Sequence, residues 1–176
     1  ETSMSNALLN SPYAFSVCRI EPENNIHVIL AAFETIIRMP VVIVGNWSVG
    51  DYGRKLKARY SNNDHIQLFD PIYEQDRLNG LRANCTIYLH GHSCGGTNPS
   101  LVEAMYLGLP VIAFDVNFNR ETTEGKARYF SSPEELRQIC ETIADHDLRE
   151  IGAAMKEIAN RRYTWQRISE CYSKLF

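Results

Sequence analysis

Imidazole, thiol, glycine amides and a carboxylate fall within one short stretch: His90, His92 and Cys94 alternate, Gly95-Gly96-Thr97-Asn98 follow, and Glu103 lies just beyond Pro99. Glycines lack a Cβ, so Gly95 and Gly96 let a ligand reach the backbone. The free N–H groups of a helix opening at Pro99 favour an anion there, with phosphate the first candidate. A tight turn would use the same glycines, and the loop alone does not decide between the two. At about 100° per residue, Glu103 lies nearly opposite the apolar face of Leu101, Val102 and Met105, so it points either toward the pocket the loop forms or into solvent. His90, His92 and Cys94 would share one face of a continuing strand at a spacing that metal ligands use. Gly91 and Gly95 argue against a rigid ligand set and no fourth ligand is evident, so no metal is expected.

These groups need elements to position them. Residues 86–89 favour a strand, Asn98 offers a side-chain cap with Pro99 at the first helical position, Gly108 suits a helix end, and residues 111–114 are an unbroken apolar strand. That is a βαβ crossover. Upstream, residues 14–19 are β-like, and a helix follows Pro22-Glu23-Asn24 with apolar positions Ile26, Ile29, Leu30, Phe33, Ile36 and Ile37. Further strands are expected at 41–44 and 66–69, with helices at 54–60 and 74–83. Downstream, residues 116–125 are too polar for a core element and read as a loop. A short strand at 127–130 precedes a helix started by Ser132-Pro133-Glu134-Glu135 and running to about His146, a second helix from Asp147 through Arg161, and a last one after Trp165. About six strands alternating with helices imply an α/β fold with a doubly wound parallel sheet, Rossmann-like. Ligands of such sheets sit beyond the carboxyl ends of the strands. Arg19 closes the first strand at that edge, where its guanidinium either clamps a diphosphate or pairs with Glu21. In the loop after Phe69, Tyr73 either stacks on a base, with Ile72 covering another edge, or packs the loop.

Composition narrows the partners. With 176 residues, 44% hydrophobic and 22% charged, the chain suits one globular domain with its own core. Eighteen basic against twenty-one acidic residues give a net charge of −3, too little positive charge for nucleic acid as a general partner. Five scattered cysteines without C-x-x-C spacing read as reduced thiols and point to a cytoplasmic location. No apolar run approaches a membrane span. Residues 1–12 are a polar, poorly patterned lead-in, residues 13–176 the domain, and the whole is expected to be a piece of a larger protein.

Glu103-Ala104-Met105, Gly108 and Pro110-Val111 resemble the E-A-M-x-x-G-x-P-V signature of the C-terminal, donor-binding domain of retaining GT-B glycosyltransferases. The longer string from His90 to Met105 resembles the bacterial rhamnosyltransferase branch. The resemblance implies a nucleotide-sugar donor, dTDP-rhamnose, whose sugar passes to a growing bacterial surface polysaccharide, with no cofactor. It implies that Glu103 holds the ribose, that Arg19 holds the diphosphate, that the loop with Ile72 and Tyr73 holds the base, and that Gly95, Gly96, Thr97 and Asn98 cradle the phosphates. His92 would line the sugar pocket as a hydrogen-bonding group, with Glu121 near the same sugar. The chain departs from the pattern twice. Gly95 stands where relatives place the first of two spaced glutamates, and Asn24, which would flank the diphosphate, stands where they place a lysine. The last helix would cross to an N-terminal acceptor domain, and peripheral attachment of the full-length enzyme at the inner face of a membrane stays open. A non-catalytic nucleotide-binding regulatory module of similar architecture is the alternative.

Overall fold

A computed structural model describes residues 11–164. The expected helix after Trp165 and most of the lead-in lie outside the described residues. Strand β1 is Ala14–Val17, β2 Val41–Val44, β3 Ile66–Phe69, β4 Ile87–His90, β5 Val111–Phe114 and β6 Arg128–Phe130. They form one sheet in the order β3-β2-β1-β4-β5-β6, and every neighbouring pair is parallel. Parallel strands covered by helices on both faces must be apolar throughout, which is why all four residues of β2 are buried. Only Ile66 of the edge strand β3 is buried.

The crossovers are made by α1 (Ile26–Phe33), α2 (Asp51–Tyr60), α3 (Gln75–Ala83), α4 (Pro99–Tyr106) and α5 (Asn117–Thr122), with α6 (Pro133–Thr142) and α7 (Asp145–Arg162) closing the fold. A 3₁₀ turn, Pro22–Asn24, leads into α1. Helix α6 packs on α1, and α7 packs on α4. The strand order reverses direction between β1 and β4, where Ala14 lies opposite Ile87 and Phe15 opposite Tyr88. At such a switch point the helices that follow the two strands go to opposite faces of the sheet, and ligands bind outside the carboxyl ends of the strands.

Three expectations need correction. Residues 116–125 contain the short helix α5, because its inward polar side chains are satisfied: Asn119 Nδ2 donates to the carbonyls of His92 and Phe114, both at 2.9 Å, and the Thr122 and Thr123 hydroxyls donate to Phe118 and Asn119 carbonyls at 2.7 Å. Helix α6 stops at Thr142 rather than near His146, since Ile143 is extended and α7 opens at Asp145. Helix α1 ends at Phe33, which leaves Ile36 buried but turns Ile37 out to 80% exposure.

Candidate functional site

The loop after β1 and the loop after β4 meet over the switch point and are tied together by side chains. Asn24 is 5% exposed. Its Nδ2 donates to the Arg19 carbonyl at 2.8 Å, and its Oδ1 lies 2.9 Å from Nδ1 of His92. Because the Arg19 carbonyl only accepts, the amide orientation is set, and His92 Nδ1 must carry the proton given to Asn24 Oδ1. In the neutral ring the bare nitrogen is therefore Nε2. That atom would lie 3.9 Å from a Cβ at position 95, so it borders the space Gly95 leaves open. Asn25 Nδ2 donates to the Gly91 carbonyl at 2.8 Å, and Ser93 donates twice to the Glu23 carbonyl, from N at 2.8 Å and from Oγ at 2.9 Å. The loops are so close that a Cβ on Gly91 would sit 2.0 Å from the Asn24 carbonyl oxygen.

Gly95 has φ of +88°, a left-handed conformation that glycine adopts without strain. Asn98 Oδ1 caps α4, accepting from Ser100 N at 3.0 Å and Ser100 Oγ at 2.9 Å. Thr97 Oγ1 lies 3.4 Å from Thr122 Oγ1 of α5. The amides of Gly95, Gly96, Thr97 and Asn98 have no acceptor among the described residues, so they are free to receive an anion.

Between the loops that leave β1, β2 and β3, at the carboxyl ends of those strands, lies a mostly apolar cavity of about 260 Å³. Val17, Cys18, Ile20, Val44, Pro71 and Ile72 form its walls, and Arg19 and Glu21 its rim. Burial pushes the Cys18 thiol up to about 12, so it is a neutral wall atom. Arg19 is 76% exposed at its side chain and 3.4 Å from Glu21, which leaves its guanidinium free to turn toward a ligand. His90, at the end of β4 just before the loop, is buried with Nε2 unpartnered; desolvation first and the nearby His92 second lower its pKa to about 3.

A family model described as glycosyl transferases group 1 matches residues 3–148. The chain belongs to that family. Solved structures of similar fold include HepE from Anabaena in complex with UDP-glucose, with 21% identity, a TM-score of 0.79, and coverage of 96% of this chain and 50% of that one. Sucrose-phosphate synthase from Thermosynechococcus elongatus is similar at 19% identity and a TM-score of 0.76, covering 96% and 46%. The C-terminal domain of a group 1 glycosyl transferase, LpcC, from Francisella tularensis is similar at 14% identity and a TM-score of 0.74, covering 89% and 90%. The chain spans about half the length of the first two.

For this glycosyl transferase domain, the fold gathers Arg19, Asn24, His92 and Gly95 through Asn98 at the switch crevice and sets Ile72 in the cavity wall. Tyr73 is 81% exposed and outside that wall. Asn24 faces inward, with both ends of its amide engaged by protein. Glu121 stands apart, on α5, where it lines a separate hollow with Asn117, Arg120, Glu124 and Arg162. Glu103 is 55% exposed at its side chain, and Arg82 reaches it with Nη2 2.9 Å from Oε2. Among the described residues no group of three or more His, Cys, Asp or Glu lies close enough to hold a metal ion, and no helix is long and apolar enough to cross a membrane. Sequence reasoning missed Arg82, Asn25, Ser93 and Asn119. Arg82 carried no signal, while the two asparagines are of a type that bonds backbone, spaced as any loop residues are.

Proposed function

We propose that the chain is the donor half of a sugar-transferring enzyme, binding a nucleoside diphosphate sugar across the crevice between β1 and β4. The observation that carries this reading is the convergence, in a group 1 glycosyl transferase fold, of the Arg19 loop and the free amides of residues 95–98 beside an apolar cavity. The base enters the cavity, with Ile72 at its wall, and the exposed Tyr73 of the same loop folds over it on binding. The ribose hydroxyls meet Glu103. The diphosphate lies between Arg19 and the amides of Gly96, Thr97 and Asn98, which also stabilise it as it departs from the anomeric carbon. His92 Nε2 faces the sugar in the space where other family members place a carboxylate, and retention of configuration is the outcome proposed. HepE bound to UDP-glucose supports a nucleotide sugar as the ligand class. The resemblance to the rhamnosyltransferase branch supports dTDP-rhamnose, transferred to a bacterial surface polysaccharide. Structural neighbours about twice as long support an acceptor domain elsewhere in the parent protein.

Titration calorimetry with nucleoside diphosphates and their sugars, beside a transfer assay, tests the proposal. The 176-residue chain is expected to bind a nucleoside diphosphate and to transfer no sugar alone. No binding at millimolar concentration, or transfer without a partner domain, would overturn it.

A further inference from the structure

We infer that Arg82 is a positioning residue for Glu103: it holds one carboxylate oxygen so that the other is presented to the ligand's ribose. This rests on the proposed pairing of Glu103 with ribose hydroxyls. Arg82 lies near the end of α3, and its side chain is only 7% exposed. Nη1 donates to Asn79 Oδ1 at 3.1 Å, Nη2 meets Glu103 Oε2 at 2.9 Å, and Nε is buried without a partner. It is the one ion pair among the described residues with a nearly buried member, since every other paired side chain is at least 28% exposed. Exposed pairs are loosened by water and salt, whereas a guanidinium held in a low-dielectric wall acts as a fixed fork.

Helix α4 cannot rotate to escape this pairing, because Leu101, Ala104 and Met105 are completely buried on its other face. Glu103 Oε1 has no partner among the described residues, so one oxygen is tethered and one is free to accept a hydroxyl. A glutamate on an exposed helix face would otherwise sample several rotamers, and ordering it would oppose binding. The Arg82 tether removes that cost before the ligand arrives.

The experiment compares uridine diphosphate with 2′,3′-dideoxyuridine diphosphate by calorimetry and reads the ratio of their affinities. Arg82→Gln should cut that ratio about fivefold or more while leaving the dideoxy ligand's affinity unchanged, because the charge-assisted hydrogen bond that weakens is one only the ribose hydroxyls make. Arg82→Lys, which keeps the charge without the fork, should fall between. In a Glu103→Gln background, Arg82→Gln should lower the ratio no further. A merely structural arginine would weaken both ligands equally, and that result overturns the inference, as does an unchanged ratio. If Arg82→Gln does not fold, the Arg82→Lys ratio decides alone, and no change there also overturns it. If Glu103→Gln keeps the full ratio, the ribose assignment falls and this inference with it. If Glu103→Gln collapses the ratio and the Arg82 variants do not, the role of Arg82 alone is refuted.

Discussion

Replacing Asn24 by alanine separates a residue that faces the phosphates from one that holds the crevice together. The side chain is 5% exposed, and it makes one hydrogen bond to the Arg19 carbonyl at 2.8 Å and one to His92 Nδ1 at 2.9 Å. Each such bond contributes a net of about 0.5–1.5 kcal/mol, and a buried group left without a partner costs about 1–3 kcal/mol. The half-buried His92 can recover water, so the sum for Asn24→Ala is about 2–3 kcal/mol. For a chain of this size that lowers Tm by about 4–12 °C. The second consequence is chemical. Without the Asn24 acceptor, neither ring nitrogen of His92 is obliged to carry the proton, so the neutral tautomers mix, and nitrogen-15 shifts of the ring report the change. Asn24→Asp keeps the acceptor but sets a carboxylate against the Arg19 carbonyl; it should retain the His92 tautomer and still lose stability. Asn24→Lys cannot make both bonds, so it should lower Tm despite the added cation. A change in Tm of less than about 2 °C in Asn24→Ala, with unchanged His92 shifts, would show that this amide does not join the loops.

Other outcomes follow from individual side chains. His90 has a pKa of about 3 in the fold against 6.5 ordinarily, so between those values the unfolded chain binds the extra proton and stability is lost as pH falls. The loss attributable to His90 at pH 5 is about 2 kcal/mol, and urea midpoints at pH 7 and 5 should differ less in His90→Phe; an equal difference in both proteins would refute this. Gly91→Ala places a methyl 2.0 Å from a backbone oxygen that cannot swing away, and the cost should reach or pass the upper end of the ~1–3 kcal/mol typical of overpacking, read by denaturant unfolding. Arg19→Ala should leave Tm unchanged, because the side chain is 76% exposed, yet weaken nucleoside diphosphate binding about tenfold at low salt and less at high salt. Equal loss for the unphosphorylated nucleoside would remove Arg19 from the diphosphate.

What the sequence made legible is what depends on local pattern. The apolar runs of β2 and β5, the Asn98 cap and the apolar face of α4 are each specified by a few consecutive residues, and they place the glycine loop at the right edge of the sheet. Helix α5 was not legible because the residues it buries, Asn119, Thr122 and Thr123, are polar, and only their carbonyl partners explain their burial. The rotation of Glu103 away from the core follows from its spacing, but Arg82 is distant in sequence and an arginine ordinarily implies solvent. Asn24 shows the same limit: its place beside the glycine loop is readable, while its inward turn depends on His92, 68 residues away. These unreadable hydrogen bonds share one purpose. Asn25 and Asn119 each give an amide proton to a carbonyl of a neighbouring loop or strand end, Asn24 donates to the Arg19 carbonyl of its own loop and accepts from His92 of the next, and Ser93 donates to Glu23 through both its backbone and its hydroxyl. Residues 91–93, where the glycine loop leaves β4, are thereby held from both sides. Glycines at 91, 95 and 96 would make a floppy loop in isolation; it is the side-chain amides of Asn24, Asn25 and Asn119 that fix the end of it that leaves β4.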